Sequence, residues 1–322
     1  MCPSTSNPIL SYNCIGPYTL TPGAPSHITH HVLRNTNYAI RFTMEEHDEP
    51  FGWWGWHWQP PVPLSVMQII DAGSADTGLM ALVWAMLARR ASILVAAEPP
   101  MAGKTTTLTA LLDLMPPDTR RVYLRGHYET FDFTLEPDAD PHKTYVLANE
   151  MSDHLAVYLW GSRVYKMFEL ITKGYAIGST MHAETVNDVI AILDSEPLSV
   201  PADWIARLTL VVNLYVSSTY GSAARRFNTV HMLGPGNSDG TSGLLPGVRP
   251  LLLSSWDRPT DTFDHRFGRP EIEAHLAAWA GCSVEEWRAD VGCRKAHLDN
   301  MFEQGVRGIS ATNAALRNLK TG

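Results

Sequence analysis

Ser92 to Leu114 reads SILVAAEPPMAGKTTTLTALLDL, and the rest of the chain is read outward from it. Ile93 to Ala97 is an unbroken apolar run of the length of a buried strand. A turn follows, Glu98-Pro99-Pro100-Met101-Ala102, then Gly103-Lys104-Thr105, and Thr106 to Leu112 carries apolar residues at helical spacing. Strand, loop, Gly-Lys-Thr and helix in that order form the context of a phosphate-binding loop. Free N–H groups at a helix start, reinforced by the helix dipole, attract phosphate. A lysine there can reach the β/γ-phosphates and a Thr hydroxyl can sit on Mg²⁺. On this reading Met101, Ala102, Gly103, Lys104, Thr105 and Thr106 hold the phosphates, with Thr105 as a metal ligand. The pattern G-x-x-x-x-G-K-[ST] wants glycine where this chain has Glu98, an acid facing the anion. The same string also serves as an ordinary strand–helix turn.

A chain of 322 residues holds one large or two ordinary domains. With 45% hydrophobic and 18% charged residues it reads as a folded soluble protein. A formal net charge of −8 argues against a protein that coats nucleic acid, and no nucleic-acid partner is expected. Cys2, Cys14, Cys282 and Cys293 form no C-x-x-C pair, so free thiols in a reducing cytoplasm are expected. The first residues do not read as a signal peptide. The apolar run Leu79 to Ala88 stops at Arg89-Arg90, too short to cross a bilayer.

Residues 1–62 read as an irregular, aromatic-rich N-terminal segment. His27, His30 and His31 could bind a metal but lack the spacing of a ligand set, and a solvated turn accounts for them. Phe51 to Trp58, FGWWGWHW, reads either as a docking surface or as a plug packed on the main domain. A second unit is expected over 63–322. Ser65 is a candidate N-cap with Gly73 as the stop, and Ala75 to Arg90 is a helix. Strands are expected at Ile93–Ala97, Arg121–Arg125, Thr144–Ala148 and Tyr175–Ser179. Helices are expected at Asp153–Lys173 and Glu184–Leu193. This alternation points to a mostly parallel sheet covered on both faces. Leu208–Val216, Arg225–Leu233 and Val248–Ser254 read as an antiparallel extension. Terminal helices from about residue 269 are expected at Pro270–Ala280, Ser283–Leu298 and Ala311–Leu319.

Polar residues recur just past the strand ends: Lys104, Glu129, Glu150 and His182. In open α/β sheets ligands bind at the carboxyl ends of strands. Glu150 stands where an acid would help to hold Mg²⁺ or orient water, or it is a solvated strand-end carboxylate. Glu129 could accept a proton from an attacking water, with Asp132 as the competitor, or either could be a plain loop acid. His182 could sense a γ-phosphate or serve only as a hydrogen-bond partner. Arg120, Arg121, Arg125 and the pair Arg225-Arg226 are candidate transition-state cations, in cis or across a subunit interface.

Taken in order, these segments resemble the secretion ATPase superfamily, the motors of type II secretion, type IV secretion, type IV pili and the archaellum. SILVAAEPPMAGKTTTLTALL is similar to the family's P-loop strand and helix, and RRVYLRGHYETFDF to its acidic box. YVLANEMSDH is similar to its Walker B strand, and AIGSTMHAETVNDVIAIL to its His box. PLSVMQIIDAG and the tail CRKAHLDNMFEQGVRGISATNAAL extend the likeness over about 63–322. The resemblance implies a RecA-like P-loop core that binds ATP with Mg²⁺ and works as a homo-oligomer, usually a hexameric ring, pushing on a membrane platform protein. It implies a cytoplasmic protein that can sit peripherally at the inner face of the membrane. Lys104 would contact β/γ-phosphates, and Thr105 and Glu150 would hold the metal. Glu129, Glu150 and His182 would be catalytic, and Arg121 is the favoured cation. The departures are Glu98, Pro100, Met101 and Ala102 in the loop, Asn149 for glycine and Ser152 for arginine. They raise two alternatives: a non-hydrolysing assembly or regulatory subunit, and an unrelated P-loop kinase.

Overall fold

The computed structural model describes residues 63–219, 222–236 and 245–319. His27, His30, His31, the Phe51–Trp58 cluster, Cys2 and Cys14 lie outside them. Cys282 and Cys293 are free thiols.

Ser65 opens the first helix, α1 (Val66–Asp71), through a complete capping box: its hydroxyl accepts from the Gln68 N–H while the Gln68 side chain accepts from Ser65 N. Gly73 then turns left-handed, at φ 68°, and ends it. Asp76 caps α2 (Thr77–Leu87), whose residues from Leu79 to Leu87 are all buried. A helix apolar all round belongs inside a core, and this one is covered by the tail.

The sheet contains β1 (Ile93–Ala96), β2 (Arg120–Tyr123), β3 (Thr144–Leu147), β4 (Ala176–Met181), β5 (Leu210–Thr219), β6 (Ser222–Pro235), β7 (Val248–Asp257) and β8 (Thr262–His265). Their spatial order is β2-β3-β4-β1-β5-β6-β7-β8. β1 is paired in parallel with β4 on one side and β5 on the other, and β2–β3 and β3–β4 are parallel too. β5 to β8 form the antiparallel extension. This is the fold class expected: an α/β fold with a mostly parallel sheet, an antiparallel extension and a helical tail. β8 was not among the expected strands.

Alternation along β1 splits its side chains between two cores: Ile93 and Val95 join α2 and the tail, while Leu94 and Ala96 join the opposite face. The remaining helices are α3 (Lys104–Leu112), α4 (Ser162–Thr172), α5 (Val186–Asp194), α6 (Ala202–Ile205), α7 (Pro270–Ala280), α8 (Val284–Glu303) and α9 (Ile309–Arg317). α8 is pinned to α2 by Arg294, 4.8 Å over the Trp84 ring, and by the Arg89–Asp290 ion pair.

The long helix expected over Asp153–Lys173 is cut to Ser162–Thr172. Between Ser152 and Trp160 the chain doubles back instead. Leu159 N donates to Glu150 O at 2.9 Å, and Ser152 N donates to Leu159 O at 3.1 Å. Those long-range bonds use backbone groups a helix would need, so helical propensity yields to tertiary pairing. Gly161, at φ 63°, then lets α4 start.

Candidate phosphate site

β1, β3 and β4 are close in the sheet, and their carboxyl ends deliver three segments to one place. β1 leads into the loop 97–103, β3 into Glu150 and β4 into His182. At the N-terminus of α3 the capping position is Gly103, at φ 87°, with no side-chain cap. Among the described residues, the backbone N–H groups of Met101 through Thr106 have no acceptor. Met101 is left-handed as well, at φ 59°, and its side chain is 81% exposed. Left-handed residues on either side of Ala102 are of the kind found in anion-binding nests. The groups an anion would need are thus present, although one of the two left-handed positions is held by a methionine.

Lys104 is buried, and its ammonium has two neighbours. Nζ stands 3.0 Å from His182 Nε2 and 3.7 Å from Glu150 Oε2. Burial pulls the Lys104 pKa below the ordinary lysine range, and the negative charges of Glu150 and Glu98 oppose that pull. The other ring nitrogen of His182, Nδ1, lies 2.8 Å from the Glu98 carbonyl oxygen. A carbonyl only accepts, so this contact places a proton on Nδ1, and Lys104 Nζ lies near both ring nitrogens, 3.3 Å from Nδ1 and 3.0 Å from Nε2. Glu150 Oε1 sits 3.5 Å from His182 Nε2, closing a triangle of lysine, glutamate and histidine.

The fold-back after β3 holds Glu150 in this position through its own carbonyl, and it places Tyr158 nearby. Burial, with a further contribution from Glu150, pushes the Tyr158 hydroxyl up to about 12. Tyr158 carried no sequence signal, because the segment reads as helix.

Most of the other expected site residues lie elsewhere. The buried Glu129 carboxylate accepts the N–H groups of Arg125, Thr130 and Phe131 at 2.9, 3.0 and 2.6 Å. It caps its own loop, and no contact joins it to Lys104, Glu150 or His182. Asp132 is exposed. Arg121 Nη2 donates to Leu112 O at 2.7 Å, at the far end of α3 from Lys104. Over the helix that is roughly 12 Å, at about 1.5 Å per residue. Arg120 is paired with Glu136. Arg226 is paired with Asp261, whose carboxyl the guanidinium holds at about 2. Arg225 reaches the loop itself: its Nε is 3.2 Å from Ala102 O and its Nη2 3.3 Å from Met101 O. The sequence singled out the Arg225-Arg226 pair but could not place it.

No group of three or more His, Cys, Asp or Glu side chains suited to a metal occurs among the described residues. Mg²⁺ bound through nucleotide phosphates needs only one or two protein ligands, so it does not require such a group. No helix among the described residues is long and apolar enough to cross a membrane.

No protein-family model matches the chain. Two uncharacterized proteins of Methanocaldococcus jannaschii are similar to it. MJ1287 is 24% identical over 267 residues, covering 75% of this chain and 95% of that protein. MJ0900 is 25% identical over 246 residues, covering 68% of this chain and 42% of that protein. Among solved structures, the VirB11 ATPase from the Brucella suis type IV secretion system is 15% identical, with a TM-score of 0.36, covering 67% of this chain and 64% of that one. The Yersinia pseudotuberculosis ATPase DotB is 12% identical, with a TM-score of 0.31, covering 80% of this chain and 63% of that one.

Proposed function

We propose that the chain binds Mg²⁺-ATP and hydrolyses it as a secretion-type motor. One observation carries the reading: Lys104, Glu150 and His182, from three separate strand ends, meet within 3.7 Å beside a loop with free N–H groups. An ordinary strand–helix turn gives no reason to bury a lysine against a glutamate and a histidine there. The N–H groups of residues 101–106 and the Lys104 ammonium would hold the phosphates, and Thr105 and Glu150 would share the metal. ATP supplies the transferable γ-phosphoryl group when bound. His182 keeps an acceptor nitrogen directed at Lys104, and Glu150 keeps a carboxylate beside both.

By the motif order read in the sequence, the working unit would be a homo-oligomeric ring, usually hexameric. It would sit at the cytoplasmic face of a membrane and act on a platform protein of a secretion or pilus system. The deciding experiment is calorimetric titration with ATP, with and without Mg²⁺, beside a turnover assay. Binding and turnover that Lys104→Ala abolishes are expected. Binding indifferent to Lys104 would end the proposal.

A second reading, an assembly subunit that binds nucleotide without hydrolysing it, is favoured by Met101 in a left-handed conformation and by Glu98 at the mouth of the loop. Binding that depends on Lys104 with no turnover in the same assays would select it.

A further inference from the structure

We infer that Arg225 is a positioning residue for the phosphate loop, doing through its side chain what glycines do where they are present. The inference rests on the nucleotide-binding reading above. β1 pairs with β5 only over Leu210–Asn213, and beyond the end of β1 the β5–β6 hairpin runs on, with Val216 opposite Arg225. The overhanging hairpin brings Arg225 alongside the loop.

Two hydrogen bonds define the contact, Nε to Ala102 O at 3.2 Å and Nη2 to Met101 O at 3.3 Å. In a trans peptide the C=O and the following N–H point in opposite directions. A guanidinium that holds both carbonyls therefore turns the N–H groups of Ala102 and Gly103 away from itself and keeps them free. It also pins the Met101–Ala102 peptide, where a non-glycine residue sits at φ 59°. That conformation is disfavoured for a side-chain-bearing residue, so something outside the loop must maintain it.

Gly103 answers to the same contact. A Cβ there would lie 3.0 Å from both Cδ and Nε of Arg225, and φ is 87°. Among the described residues Arg225 has no carboxylate partner, whereas the adjacent Arg226 is taken by Asp261. Neighbouring residues of a strand face opposite ways, which lets one arginine anchor the sheet while the other serves the loop.

The test is a double-mutant cycle on the full chain: wild type, Arg225→Ala, Met101→Gly and the double variant, with Arg225→Lys as the conservative control. Thermal midpoints without nucleotide and ATP affinity by calorimetry are measured for each. Arg225→Ala is expected to lower the midpoint and to weaken ATP at least tenfold. Met101→Gly should restore most of both losses in the double variant, because glycine adopts the turn unaided. Arg225→Lys should be only partly effective, since an ammonium does not reproduce the guanidinium fork. Additive midpoints, or an Arg225→Ala protein with wild-type ATP affinity, would overturn the inference. A wild-type chain that binds no ATP would remove the nucleotide reading alone, and the midpoint cycle would still decide whether Arg225 holds the loop.

Discussion

The ammonium of Lys104 donates toward Nε2 of His182 across 3.0 Å, while Nδ1 of the same ring meets the Glu98 carbonyl oxygen at 2.8 Å. The imidazole thus links the start of the loop to the lysine after it. Replacing His182 with alanine should release both ends at once. Turnover is expected to fall by about 10²-fold or more, the scale of a positioned polar group at a reacting centre. ATP affinity should change far less. Steady-state assays beside calorimetry separate the two, and an unchanged turnover would remove His182 from the chemistry.

Glu150→Gln tests the acid of the triangle. It removes a buried negative charge beside a buried lysine, so nucleotide affinity should hold or rise. Turnover should fall by roughly 10² to 10⁴-fold if the carboxylate orients water or metal. In a chain that only binds nucleotide, the substitution leaves no rate to lose, and affinity alone would respond.

Glu129 gives the opposite expectation. Its carboxylate satisfies the Arg125, Thr130 and Phe131 N–H groups, so Glu129→Ala leaves three donors without their acceptor, that of Phe131 buried. A loss of about 1–3 kcal/mol in denaturant unfolding is expected. A variant of wild-type stability without turnover would instead place Glu129 in the catalysis that the family resemblance implied.

Arg121 holds Leu112 O at the far end of α3. Arg121→Ala should cost about 1 kcal/mol in thermal or denaturant unfolding. ATP affinity should stay within about twofold, because a half-buried charge roughly one Debye length, ~10 Å, away is largely screened. Loss of turnover at unchanged affinity, in the assembled protein only, would show that it acts across a subunit interface.

His231 carries a pH dependence of folding. Burial, with Arg266 nearby, depresses it from an ordinary 6.5 to about 4, and its Nδ1 is buried without a hydrogen-bond partner among the described residues. The unfolded chain then binds the proton more readily than the folded one. Stability contributed by the neutral ring is complete above about pH 6.5 and is lost as pH falls toward 4. Denaturant midpoints from pH 7 to pH 4 should show this slope, and His231→Gln should flatten it. A slope that survives the substitution belongs to another group.

Local signals settled much of the architecture. The apolar run Ile93–Ala97, the Ser65 capping residue and Gly73, which stops the first helix, each act over a few residues, so a linear reading finds them. The same holds for Lys104, Glu150 and His182, which follow strand ends, because parallel topology carries the ends of neighbouring strands to one rim. What local reading could not supply came from contacts distant in sequence. Whether Ser152–Trp160 is helix depended on Leu159 donating to Glu150 O and accepting from Ser152 N, against a periodicity that favoured helix. Whether Glu129 faces a crevice or caps its loop depended on where its carboxylate found donors. Arg225 lies more than a hundred residues from the loop carbonyls it holds, and only the overhang of β5–β6 beyond β1 joins them. The sequence by itself determined the strand–loop–helix segment around Gly103-Lys104-Thr105 and the layered sheet, through short-range propensity and patterning. Tertiary structure alone decided which charged side chains share one place, because that depends on sheet order and on the unpaired polar groups left to be satisfied.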